Sequence, residues 1–168
     1  EHGDHLDLSA IKQILKNESE VIMTQTCLNN LEDFKQAVVM KNEDSKTLKG
    51  IPVEAIPAYN IEHNRPTGEP FHPKGQGNGY ILTLGGKRIL VAGDTENTPE
   101  IKALKNIDIA FLPMNLPYTM SPEMVADAAK SFRPKILYPY HYGNTDANKL
   151  VDLLKSEKDI EVRIRQLE

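Results

Sequence analysis

Tyr80-Ile81-Leu82-Thr83-Leu84-Gly85-Gly86-Lys87-Arg88-Ile89-Leu90-Val91-Ala92-Gly93-Asp94-Thr95 holds two apolar runs joined by a glycine pair. The runs Tyr80 to Leu84 and Arg88 to Ala92 read as strands, and Gly85-Gly86 between them reads as a hairpin turn. After Asp94 the pattern changes. Pro99 to Lys105 has helical spacing behind a Thr98 cap, with Pro99 in the first turn. Ile107 to Leu112 reads as a strand, and Ser121-Pro122-Glu123 caps a helix running to about Phe132. Ile136-Leu137-Tyr138 is a strand, residues 146–155 a helix and residues 160–164 a final strand. A β-rich middle followed by a βαβαβ tail places the chain in the α/β class, with a sheet covered by helices.

The segment before the hairpin is less regular. Residues 10–16 carry Ile11, Ile14 and Leu15 at helical spacing, with Asp7 or Ser9 as the cap. Val21-Ile22-Met23 and residues 37–40 read as short strands, and residues 29–36 as a short helix on the spacing of Leu31 and Phe34. Residues 41–46 read as a solvated loop. Residues 51–59 read as a strand whose Pro52 and Pro57 favour an edge or a strand end. Residues 60–78 form the longest irregular stretch, and long ordered loops are disproportionately functional.

The 168 residues suffice for one domain with a core, and 39% apolar and 26% charged residues suit a globular chain. The net charge of −4, with acids and bases mixed, disfavours a nucleic-acid-coating surface. Cys27 is the single cysteine, so no internal disulfide forms, which fits a reducing, cytoplasmic compartment. No run reaches the roughly 20 apolar residues of a membrane span.

Five histidines carry the chemical signal. His2, Asp4 and His5 lie in one turn, Glu1-His2-Gly3-Asp4-His5, with Gly3 letting the backbone turn tightly. His72 sits in a Pro/Gly loop before a strand. Asp94 and His141 follow strands directly, as Gly93-Asp94-Thr95 and Pro139-Tyr140-His141-Tyr142-Gly143. Groups at the carboxyl ends of strands converge on one sheet edge, where such folds place their sites. The run Lys74-Gly75-Gln76-Gly77-Asn78-Gly79 lacks the spacing of a phosphate-binding loop and leads into a strand, so its glycines serve close backbone approach instead. His63, in the same long loop as His72, reads as exposed.

This ordered set resembles the metallo-β-lactamase superfamily, whose first motif is His-x-His-x-Asp-His. His2, Asp4 and His5 match its last three members, and the first histidine would fall one residue before Glu1. Phe71-His72-Pro73-Lys74-Gly75 occupies the place of the third-motif histidine, Asp94 that of the bridging aspartate and His141 that of the last histidine. Residues 80–95 and 107–141 look most like the metal-dependent hydrolases related to ascorbate-phosphate lactonase. The resemblance implies an αβ/βα sandwich, here a single domain over residues 1–168, incomplete at the N-terminus with its first strands missing from the chain. It implies contact with a chain that supplies those strands, or a homo-oligomer.

The resemblance further implies two divalent ions, zinc first, with manganese or iron as alternatives. One would take His2, His72 and the missing histidine, the other Asp4, His5 and His141, with Asp94 bridging. The expected activity is hydrolysis of a small phosphoester or lactone by a metal-bound hydroxide that Asp4 helps to orient. Lys74, Asn115, Tyr118 and Tyr140 lie near strand ends and could hold an anionic substrate. The alternative is a non-catalytic metal-binding or partner-binding domain with an incomplete site.

Overall fold

In the computed structural model, which describes residues 1–31 and 34–167, the chain forms two units, Glu1–Lys41 and Asn42–Glu168. In the first, the Asp7 carboxylate accepts from the N–H groups of Ser9 and Ala10 and so caps α1 (Leu8–Ile14), which begins two residues before the expected Ala10. β1 (Val21–Met23) pairs in parallel with β2 (Ala37–Val39). Between them lies α2 (Gln25–Asn29), where Thr24 Oγ1 accepts from the Cys27 N–H. A threonine cap therefore starts this helix four residues ahead of the one expected over residues 29–36. Of that expectation, Glu32 and Asp33 lie outside the described residues.

The second unit is built on one seven-stranded sheet whose strands lie side by side in sequence order. β3 (Ser45–Leu48), β4 (Ile51–Ala58), β5 (Gly77–Leu84) and β6 (Lys87–Val91) are antiparallel. The hairpin between β5 and β6 turns at Gly85 and Gly86, with φ of 56° and 72°, the positive values that the glycine pair anticipates. From β6 onward the pairing is parallel, through β7 (Ile109–Pro113), β8 (Ile136–Tyr140) and β9 (Glu161–Val162). The connections carry α3 (Pro99–Lys102), α4 (Pro122–Phe132) and α5 (Asn148–Leu154). Leu90, Ala110, Leu112 and Leu137 of the strands pack with Ile101, Val125, Ala129, Phe132, Leu150 and Leu154 of these helices in one buried core. This is a mixed α/β fold with a central sheet.

Two strands depart from the sequence reading. β3 occupies part of the expected loop; Ser45, Lys46 and Thr47 are exposed, so this edge strand has no apolar alternation to announce it. β4 is not an edge, because β3 and β5 flank it on both sides. Its prolines fit all the same. Ala55 exchanges hydrogen bonds with Asp44 and Glu43, so residues 53, 55 and 57 face β3, whose pairing stops at Glu54, short of Pro57. Pro52 faces the other way, one residue outside the β5 pairing that begins at Val53. Neither proline takes a ladder hydrogen bond from a neighbour.

Gly77 and Gly79 of the 75–79 run serve close approach as expected, whereas Gly75, with φ 89°, has no neighbour within 4 Å of its Cβ position. A Cβ on Gly79 would stand 2.5 Å from the Ala92 carbonyl oxygen, and one on Gly93 would stand 2.6 Å from that of Asn78. Backbone meets backbone here, so neither neighbour can swing aside. Gly79→Ala is therefore expected to destabilise the fold by about 1–3 kcal/mol. A urea unfolding midpoint equal to that of the parent would contradict this.

Candidate metal centre

In the first unit, the turn before α1 closes on the His2 carbonyl, which accepts from the N–H groups of His5 (3.0 Å) and Leu6 (2.8 Å). His5 Nε2 and Asp4 Oδ2 are 3.7 Å apart, and both side chains are substantially exposed. Gly3 has neither a positive φ nor a neighbour within 4 Å of its Cβ position, so this turn does not depend on glycine's freedom as the sequence suggested.

In the second unit, strand direction assembles the donors. β6, β7 and β8 are parallel, so their carboxyl ends share one sheet edge. β4 is parallel to β6 through the antiparallel β5, so the end of β4 and the start of β5 reach the same edge. Asn60, His72, Asp94, Asn115 and His141 all follow or precede strands at that edge. His72 Nε2 lies 3.3 Å from Asp94 Oδ2, both side chains being largely buried. A ring nitrogen of His141 lies within 4.8 Å of the Asp94 carboxylate. Two ligand atoms on one tetrahedral ion with bonds of about 2.1 Å stand roughly 3.4 Å apart. The His72–Asp94 pair meets that spacing and His141 meets Asp94 in a separate ligand group, so the carboxylate can serve a divalent cation with either imidazole.

His141 takes φ 49°, a left-handed conformation that costs a non-glycine residue on the order of 1 kcal/mol. Its N–H is held by the Leu167 carbonyl at 2.8 Å, and Tyr142 Oη donates to the Arg165 carbonyl at 2.6 Å. Burial pushes the neighbouring Tyr140 hydroxyl up, and the negative charge of Asp94 adds to this against a smaller opposing effect of the Gly93 backbone.

Behind His72 lies a network that the sequence did not announce. Glu96, fully buried, accepts five hydrogen bonds. Oε2 receives the Ile61 and Glu62 N–H groups at 2.7 Å each. Oε1 receives the His63 N–H at 2.9 Å, the His63 ring Nδ1 at 2.7 Å and Asn60 Nδ2 at 2.9 Å. Burial pushes the Glu96 carboxyl up, but the hydrogen bonds from Asn60 and from the three backbone groups outweigh it and hold the group below the usual carboxylate range. His63 is thus not simply exposed: its ring leans on a buried carboxylate, with 30% of the side chain open to solvent. The one signal in the sequence was an acid two residues beyond Asp94, which any turn could carry.

Of the residues that could hold an anion, Lys74 is already engaged. Its Nζ lies 2.6 Å from Glu100 Oε1, 3.2 Å from Tyr59 Oη and over the Tyr59 ring. Tyr118 packs edge-on against Phe71 with ring centroids 5.1 Å apart, and Arg65 stacks on the other partner's ring.

The family model described as a Beta-lactamase superfamily domain matches residues 1–141. The chain belongs to the metallo-β-lactamase superfamily. A crystal structure from Parabacteroides distasonis, a protein described as a candidate metal-dependent hydrolase, is 48% identical with a TM-score of 0.91, covering 100% of this chain and 74% of that one. A UPF0173 metal-dependent hydrolase of Symbiobacterium thermophilum is 41% identical over 75 residues, which is 41% of this chain and 34% of that protein. One from Thermococcus onnurineus is 26% identical over 147 residues, 84% of this chain and 63% of that protein. The chain thus spans between a third and under two thirds of the length of these curated relatives. No helix among the described residues is long and apolar enough to cross a membrane.

Proposed function

We propose that the protein is a metal-dependent hydrolase of ester-type bonds, acting on a small lactone or phosphoester, and that His72, Asp94 and His141 are metal ligands. The observation that carries this reading is the Asp94 carboxylate, within ligand distance of two imidazoles at one sheet edge. The relatives named as metal-dependent hydrolases support it. His2, Asp4 and His5 keep the roles that family membership implies, as further ligands and, for Asp4, as the group that orients the attacking water. Two ions, zinc first, are proposed.

A bound divalent cation supplies Lewis acidity and lowers the pKa of water, giving a nucleophile near neutral pH. The chain's own groups do the rest. Asp94 brings the negative charge that draws cations to the edge, and the two imidazoles add donors without adding charge. Tyr140, held as a neutral phenol by burial and by Asp94, offers a hydrogen bond to an oxygen of the substrate or leaving group. The rim beside Asn60 and His72 carries exposed Ile61, Leu116 and Tyr118. With Lys74 neutralised by Glu100, this rim favours a neutral acyl substrate such as a lactone over a phosphoester.

The test is a chelated, full-length protein assayed with a lactone panel and with an aryl phosphodiester, before and after addition of zinc, manganese or iron(II). Turnover restored by a divalent ion, faster on lactones, is the expected result. Metal binding without turnover on either class would favour a non-catalytic metal-binding domain, and activity indifferent to chelation would end the proposal.

A further inference from the structure

Asn60 is buried beside His72, and every polar atom of its side chain is used. Nδ2 donates to Glu96 Oε1 at 2.9 Å and to the Tyr118 carbonyl at 3.0 Å. Both partners can only accept, so the amide cannot be turned the other way round. Oδ1 therefore faces His72, where it lies 2.8 Å from the backbone N and 2.8 Å from ring Nδ1. The Asn60 N–H also donates to the His72 carbonyl at 2.9 Å, which closes the clamp.

An amide oxygen can only accept. His72 Nδ1 must then carry hydrogen, which leaves Nε2, 3.3 Å from Asp94 Oδ2, as the ring nitrogen whose lone pair a metal can take. Without the Asn60 oxygen the alternative tautomer becomes favourable, because its Nε2–H would find the Asp94 carboxylate as an acceptor. That tautomer has no lone pair left for a metal on the side facing Asp94. A ligating histidine usually has its other nitrogen fixed by a neighbouring oxygen, and such neighbours tune metal affinity.

We propose that Asn60, locked in orientation by Glu96 and the Tyr118 carbonyl, is a positioning residue that selects the metal-binding tautomer of His72. The inference rests on the reading of His72 as a metal ligand. Glu96 serves it at one remove: its five donors fix residues 60–63, and with them the position of the amide.

The experiment uses long-range 1H–15N correlation spectra of the metal-free, full-length protein, which report the tautomer of each imidazole, together with zinc affinity by chelator competition. In the parent, His72 is expected to show a protonated Nδ1. A spectrum showing an unprotonated Nδ1 in the parent overturns the inference whatever any variant does. In Asn60→Ala the Nε2–H form is expected to gain population and zinc affinity to fall roughly ten- to a hundredfold. An unchanged tautomer with unchanged affinity also overturns it. His72→Ala separates the two levels. Parent-like zinc binding in His72→Ala means that the ligand assignment itself has failed. Loss of zinc there, with a parent-like Asn60→Ala, means that only the positioning role has failed.

Discussion

Asp94→Asn is expected to lose its metal and, with it, about 10³-fold or more of hydrolytic rate, while the metal-free protein becomes no less stable than the parent. The substitution keeps the shape of the side chain and removes one negative charge. An amide can place an N–H where Oδ2 now lies, 3.3 Å from His72 Nε2, and so donate a hydrogen bond to the lone pair that His72 would otherwise give to a metal. The charge that attracts a cation is gone, and several kcal/mol of charge stabilisation from the metal go with it, which is the source of the expected rate loss. Stability and function then move in opposite directions, as is common where a site concentrates like groups for chemistry. Metal content by elemental analysis and a thermal melt of the chelated protein check both halves. A variant that retains full metal occupancy and full rate would remove Asp94 from the ligand set.

Much of the second unit was legible because its signals are local. Gly85-Gly86 between two aliphatic runs leaves a chain little choice but a hairpin, and Thr98 and Ser121 cap α3 and α4 where proline follows at the first turn. Asp94 and His141 stood out because they follow strands, and parallel strands bring their carboxyl ends together. What stayed hidden depends on partners distant in sequence. β3 is polar on its exposed side and owes its existence to pairing with β4. The prolines of β4 suggested an edge or a strand end; they lie one residue inside its two ends, and nothing local shows that β3 stops short of Pro57 and β5 short of Pro52. Asn60 and Glu96 carry no periodicity and no motif. Their roles are made by hydrogen bonds spanning 12 and 36 residues of chain. His63 gave no sign in its own neighbourhood of the carboxylate 33 residues on that holds its ring.

Glu96→Gln is expected to be among the most destabilising single-atom changes available to this fold. Every hydrogen bond to the parent carboxylate comes from an N–H donor, two at Oε2 and three at Oε1. Glutamine has one oxygen and one NH2 group. Whichever way it turns, at least two N–H groups meet the NH2 in a site without solvent. Each buried donor left unsatisfied costs about 1–3 kcal/mol, so a total loss of roughly 3 kcal/mol or more is expected at neutral pH. The pH dependence follows from the direction of the shift. The folded-state carboxyl is held below its unfolded value, so its contribution is complete above the unfolded pKa of about 4.3 and is lost as pH falls through the folded value. The gap between parent and variant in urea unfolding is therefore wide at pH 7 and narrows in acid, because the protonated parent must itself turn a donor toward the loop. A gap that stays constant from pH 7 down to pH 3 would mean that Glu96 does not carry its charge into the folded protein. In that case the amide of Asn60 would be anchored by a neutral acid, whose hydroxyl could face it and free Asn60 to turn its nitrogen toward His72.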